Sequence, residues 1–469
     1  MTNQQGNFYI RDDSGDIHIQ GKTNESSIIC NNDGSVEIYH DNTKRFESSS
    51  TGITVTGEVA ATQDYPTTRP TLDFNFAAEK KLDPRITYQR TGPASFTDEF
   101  GKVVLVGDNA PRFDHDPDTG ECKGLLIEPS RTNYAVYSTK VSNEYGSYYN
   151  MINGAVLVNN AGVAPDGTNT ATKMYPASSG GARGIEDIYA LPGSSASWTT
   201  SIYVKAAGHT GWIGLYGVNG SAIAHFNPST GTKGGTTSGG AITDYDIIDA
   251  GNGWYRIYIT MTKDPSSGTE YFYIYFGDSD GSVSVTHSGT NGILMWGLQV
   301  EQGSFPTSYI PTSSASVTRG ADFTTLLEDD FTDAISQTEG TLIVEYDNVT
   351  SDGYVLSLDG SGGNKIGMVN NNSYQLMGTA GGSSQGTTDN GTLLSGTNRF
   401  ALAYKLNDTA ISINGNTATV DTSYTLPTTT FMSIGHRQYQ YDQLGSCIAR
   451  IMYYNTRLPN SQLKTLSTR

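Results

Sequence analysis

"YFYIYF", residues 271–276, alternates three tyrosines with three apolar residues. A period of two belongs to an extended strand, whose successive side chains point to opposite faces. Phe272, Ile274 and Phe276 fall on one side and Tyr271, Tyr273 and Tyr275 on the other. The arrangement recurs. In "GWIGLYGV", Ile213 and Leu215 oppose Trp212 and Tyr216. In "GWYRIYITM", Tyr255, Ile257, Ile259 and Met261 oppose Trp254, Arg256 and Tyr258, and in "SIYVK", Ile202 and Val204 oppose Tyr203. Four strands thus pair a mainly aliphatic face with a face of rings and hydroxyls. The first face predicts a β-sandwich core. The second predicts either a sugar groove, a packing surface against another subunit, or rings exposed for their strand propensity alone.

The rest of the chain carries the same signal. Residues 1 to about 60 hold "NFYI", "DIHIQ", "SSIIC", "SVEIYH" and "GITVTG", cut by "DDSG", "NNDG", "DNTK" and "SSTG". Short runs punctuated by Asp/Asn-Gly turns read as β-hairpins. Each run has only one to three large apolar residues, too few for a core of its own. Residues 1–65 are therefore expected to attach and trimerise by sharing a core between copies; the alternative is a small sheet docked on the next domain. "AATQDYPTTRPT" reads as a linker. A β-rich block over 66–322 and a second over 323–469 have the strand spacing of sandwiches. The chain closes on "LPNSQLKTLS", where Leu458, Leu463 and Leu466 line one side of a short helix. The expected fold class is all-β, a short hairpin segment followed by two jelly-roll or sandwich domains.

Charged residues make up 16% of the 469 and the net charge is −18. A nucleic-acid partner needs a basic surface, so that class is set aside. Cys30, Cys122 and Cys447 are odd in number and far apart, which argues against a disulfide framework or a zinc knuckle. The opening "MTNQQGNFYIRDDSG" has neither the basic nor the apolar region of a signal peptide. No run reaches the roughly 18 apolar residues of a membrane helix.

The catalytic motifs fall short of their structural requirements. "DHDPDTGE" begins like a calcium loop, but Thr119 stands where glycine is needed and Leu125 where the closing glutamate is needed. It reads as an Asx-rich turn, and so does "GDSDGS" with Asp278 and Asp280; Ca²⁺ is at most a weak possibility there, and no other cofactor is expected. The seven histidines form no zinc-hydrolase motif. G-x-S-x-G occurs around Ser279 and Ser384, but neither string leads from a strand into a helix. A spatial carboxylate pair for glycoside hydrolysis remains open, since distant segments supply such pairs.

Longer stretches carry a family likeness. "LDFNFAAEKKLDPRITYQRTGPASFTDEFGKV", "PRFDHDPDTGECKGLLIEPSRTNY", "SIYVKAAG", "GWYRI" and "MWGLQVEQGSFPTSYIPTSSASVTRGADF" together resemble a module common in tail proteins of tailed bacteriophages. That resemblance implies a carbohydrate-binding-like jelly roll. "GSVEIYHDNTKRFESSSTGITVTGEV" resembles repeats in virion structural and tail-fibre proteins, which implies a homotrimer joined to other virion tail proteins. "ISINGNTATV" and "IARIMYYNTRLPNSQLKTL" are similar to laminin-G/concanavalin-like domains, without the Asp/Asn metal cluster of legume lectins.

The implied function is a virion tail-fibre protein that binds host-surface polysaccharide or lipopolysaccharide. It would be non-enzymatic and would not insert into a membrane. A tailspike-like depolymerase and a purely structural fibre are the alternatives; no repeat array of the kind a β-helical depolymerase needs is visible. The glycan-binding candidates are Tyr203, Trp212, Tyr216, Arg256, Tyr258, Tyr271, Tyr273 and Tyr275, with His436, Tyr439 and Tyr441 in the C-terminal block. "GLLIEPSRTNY" is expected to be a lock on a chain corner: Glu128 paired with Arg131, and Thr132 and Asn133 bonded to backbone.

Overall fold

The computed structural model describes residues 10–468, apart from 11, 13, 51, 57–65, 67–68, 143, 145–148, 193–194, 218–221, 238–241, 264–268, 287–288, 349–352, 371–372, 382, 393–395 and 438–441. The fold is all-β. Its α-helices among the described residues, Phe76–Glu79, Glu328–Ala334 and Asn460–Leu466, are none longer than seven residues. None is long and apolar enough to cross a membrane. The chain divides into two compact units, Met1–Asp64 and Tyr65–Arg469.

The first unit is an antiparallel meander of five strands: Ile17–Lys22, Glu25–Cys30, Val36–His40, Thr43–Ser49 and Gly52–Val55. Tight turns with left-handed Asn24, Asp33, Asp41 and Asn42 join them, as Asx residues permit.

The second unit holds two sandwiches. One stacks two six-stranded antiparallel sheets. Sheet one runs Tyr149–Ile152, Gly184–Ala190, Thr269–Gly277, Trp212–Tyr216, Ile223–Asn227, Thr232–Thr237. Sheet two runs Ala155–Gly162, Ala171–Pro176, Gly292–Gln302, Ala196–Ala207, Tyr255–Lys263, Ile242–Asp249. The aliphatic residues read from the alternation meet between them. Ile202, Val204, Ile213, Leu215, Ile257, Ile259, Phe272, Ile274 and Phe276 are all fully buried in one cluster.

The other sandwich crosses the boundary expected at 322. Its eight-stranded sheet joins Leu72–Asn75, Phe113–His115 and Cys122–Ile127 to Glu339–Asn348, Gly396–Lys405 and Ser446–Tyr454. Phe74 pairs with Ile451 and Leu126 with Cys447. In the facing sheet, Thr87 pairs with Thr325. Residues 72–127, assigned to the first block by sequence, thus complete the second. Leu72, Phe74, Phe76, Leu125 and Ile127 share one buried cluster with Leu342, Val344, Phe400 and Ile451. The first sandwich is an insertion, leaving after Ile127 and returning before Phe323. Nothing local in the sequence marks this, because the paired residues lie 234 to 381 positions apart.

Gly124 shows how tightly the two segments fit. Its φ is +106°, and a Cβ there would lie 2.1 Å from the Ile448 carbonyl oxygen. Only glycine tolerates both conditions. At the C-terminus, Leu458, Leu463 and Leu466 are buried against Ile343, Ala401 and Ala403, so helix Asn460–Leu466 lies on the outer face of the eight-stranded sheet.

Candidate functional site: the tyrosine face

The outer face of sheet one is built around Thr269–Gly277. In register, Tyr273 lies between Glu186 and Tyr216, and Tyr275 between Gly184 and Gly214. Tyr271, Tyr273 and Tyr275 form a ladder. Successive ring centroids are 6.2 and 5.6 Å apart, with interplanar angles of 12° and 11°. Tyr216 meets Tyr273 and Tyr275 edge-on, with centroids at 5.7 and 5.3 Å. All four rings are half-buried.

This geometry changes what the face offers. The ladder rings turn their faces toward one another, as aromatic pairs prefer. Tyr273 has a neighbour on each side, so its edge and hydroxyl remain for a ligand. The face is a row of phenol tips more than a floor of open rings. Burial first, and then the Glu186 charge, raises the Tyr273 pKa; burial and the charges of neighbouring tyrosines raise that of Tyr275. These hydroxyls stay protonated near neutrality, each able to donate and accept. The Tyr273 hydroxyl lies 3.5 Å from the Glu186 carboxylate.

Two glycines that sequence reasoning passed over make room on this face, Gly184 for a ladder ring and Gly214 for Ile223. A Cβ on Gly184 would come within 2.9 Å of Tyr275 Cδ1, and one on Gly214 within 2.8 Å of Ile223 Cγ2. Gly214 shows in the sequence as an interruption of an apolar run, and Gly184, between Arg183 and Ile185, carries no such signal. Trp212 stands two residues beyond Gly214 and is half-buried. A Cβ on Gly234 would be 2.5 Å from its Cζ3, so the ring lies against that bare strand. The turn holding Asp278 and Asp280 closes this end. Asp280 accepts from the Gly235 N–H at 3.0 Å, and Asp278 from the Thr286 N–H at 2.9 Å and its hydroxyl at 2.6 Å. Likewise Asp116 accepts from Asp118 and Thr119, as an Asx turn does. Among the described residues no group of three or more His, Cys, Asp or Glu is placed to hold a metal.

Tyr203, Arg256 and Tyr258 belong to the opposite outer face, on sheet two, and are buried there. The Arg256 guanidinium donates to the Thr307 carbonyl at 2.7 Å and to Ser201 Oγ at 2.8 Å, and sits 5.3 Å from the Tyr203 ring centroid. Tyr203 packs edge-on against Trp296, whose ring is 4.5 Å from Tyr309. Tyr258 donates to Asp244 Oδ2 at 2.8 Å. The returning chain, carrying Thr307 and Tyr309, covers Tyr203 and Arg256, and Tyr258 is buried with its hydroxyl on Asp244, so the three form no open groove. His436 is fully buried, stacked on Phe323, and its Nε2 accepts from the Thr324 N–H at 3.0 Å. Burial lowers its pKa. Tyr439 and Tyr441 lie outside the described residues.

The lock is present with different partners. Glu128 Oε2 accepts from Arg112 and Arg319, both at 2.6 Å, and Oε1 from the Ser308 N–H at 2.7 Å. Asp322 accepts from Arg112 Nη2 at 2.5 Å and from the Glu128 N–H at 2.7 Å, and its other oxygen takes the Tyr88 hydroxyl. Arg131 instead lies 3.8 Å from Glu301. Arg131 pairs in register with Arg319, and it is Arg319 that reaches Glu128. Asn133 donates to the Leu298 and Ile310 carbonyls and accepts from the Ala135 and Val300 N–H groups. The hydroxyl of Thr132 meets that of Thr318 at 2.8 Å, not backbone. This buried network clasps the two crossings of the inserted sandwich. Burial would raise the Glu128 carboxyl, but Arg319 and Arg112 outweigh it and hold the pKa at about 2.

No protein-family model matches the chain, and no curated protein matches it. Several solved structures are similar over part of their length. The CBM40 module of the Ruminococcus gnavus IT-sialidase, bound to α2,3-sialyllactose, is 17% identical, with 30% of this chain and 88% of that one covered and a TM-score of 0.26. Domains LG4-5 of the mouse laminin α1 chain are 12% identical, covering 67% and 92%, with a TM-score of 0.23. Trypanosoma rangeli sialidase in complex with the inhibitor DANA is 12% identical, covering 64% and 66%, with a TM-score of 0.25.

Proposed function

We propose that the protein is a bacteriophage tail-fibre subunit that binds host-surface glycan without cleaving it, working as a homotrimer on the virion tail. The observation that carries the glycan reading is the half-buried row of Tyr271, Tyr273, Tyr275 and Tyr216 on a sheet whose other face is core. Protonated phenols beside the Glu186 carboxylate suit a polyhydroxylated chain, and the half-buried Trp212 adds a ring at one end. The likeness of residues 71–323 to phage tail modules supports the place in the virion. No metal or cofactor enters this reading.

A shallow site of this kind binds with millimolar to micromolar affinity, about 4–8 kcal/mol. Three linked copies raise avidity by roughly 10²- to 10⁴-fold. The test is calorimetric titration with capsular and lipopolysaccharide preparations, run beside an assay for new reducing ends. Saturable heat without products is expected, and Tyr273→Ala should abolish most of it. Products would overturn the non-enzymatic reading; binding untouched by Tyr273→Ala would move the site off this face. An antibody to the C-terminal sandwich should label the tails of virions by electron microscopy, and label elsewhere on the particle would overturn the tail assignment.

A further inference from the structure

The N-terminal meander carries its apolar residues in register. Ile19 pairs with Ile28, Ile28 with Ile38, Ile38 with Phe46, and Phe46 with Val55. One apolar residue from each of five strands therefore forms an unbroken row. Two residues along lies a second row on the same face: Ile17 opposite Cys30, Cys30 opposite Val36, and Ser48 opposite Ile53. Ser48 is the one polar member, and neither row contains a charge. Ile19, Val36, Ile38, Ile53 and Val55 are 40–65% exposed. The opposite face is satisfied within the sheet: Lys44 bridges Glu37 at 3.2 Å and Glu47 at 2.9 Å, and the Tyr39 hydroxyl bonds Glu37. The polar face is thus complete and the apolar face is left to water, the reverse of a stable small sheet.

We infer that this face is where copies of the chain meet, each turning its two rows toward a common axis; the inference rests on the homotrimer reading. A foreign partner would be selected by charge, and neither row carries one, whereas an uncharged face complements itself. Five strands about 4.8 Å apart give a face ~24 Å wide and, at about 3.4 Å per residue, ~17 Å long, and about a three-fold axis each copy turns that face to both neighbours.

The experiment uses the full chain. Light scattering of the wild type should give three times the chain mass, Ile38→Glu should give one, and Glu37→Gln on the polar face should still give three. A trimer that survives Ile38→Glu overturns this face and leaves the trimer standing; a wild-type monomer overturns both. A second readout needs no disruptive variant. In a Cys122→Ser background, Cys30 should react with a maleimide at least tenfold more slowly than a free thiol, and reaction at the free-thiol rate overturns the inference.

Discussion

The two outer faces of the inserted sandwich come from the same alternating pattern and end differently. On sheet one the tyrosines stack on each other and stay half-open. On sheet two Tyr203 and Trp296 meet Tyr309 and form a small second core with Trp254. Alternation identifies the side of a strand that faces the core; it does not say whether more chain covers the other side. That is decided by where the segment around Ser304–Thr312 runs as it returns to the neck. Aromatic faces therefore separate into packing and binding surfaces only when the whole path of the chain is known.

The comparison breaks if the covered face proves dispensable. Trp296→Ala removes a fully buried ring and should cost about 3–5 kcal/mol in denaturant unfolding, with glycan binding per folded molecule unchanged. A stable variant with lost binding would exchange the roles of the two faces.

The neck that brings the covering segment back should be nearly as sensitive. Glu128→Gln leaves Arg319 without its carboxylate in the interior, with Arg112 keeping only Asp322, and should cost about 3–5 kcal/mol. It should also flatten the acid limb. The folded pKa of Glu128, about 2, lies below its unfolded value, so its contribution is complete above about pH 5 and disappears as the pH falls toward 2. The difference between wild type and Glu128→Gln should shrink by roughly 3 kcal/mol across that window. A difference independent of pH would mean that the arginines do not hold the carboxylate. Arg131→Ala, outside the Glu128 cluster, should cost less than Glu128→Gln in the same measurement.

A finer cut is Arg256→Ala, which frees Ser201 and the Thr307 carbonyl and should cost about 1–3 kcal/mol without touching binding. The smallest effect sharpens the open face. Tyr273→Phe keeps the ring and removes the tip, and should weaken glycan binding by about 0.5–1.5 kcal/mol while leaving the Tm nearly unchanged. Full binding by Tyr273→Phe would show that ring faces, not hydroxyls, hold the ligand.

By itself the sequence determined the all-β class, the core-facing residues of the four alternating strands, the Asx turn at Asp116, and a lock at Glu128. Each follows from local rules: side-chain period, turn chemistry, and the need to pair a buried charge. Only the tertiary structure decided that 72–127 belong with 323–469, that Glu128 pairs with Arg112 and Arg319, and which rings stay open. Those outcomes depend on contacts between residues up to about 380 positions apart, as Leu72 and Tyr453 are, and no periodicity within a strand encodes which distant strand will lie beside it.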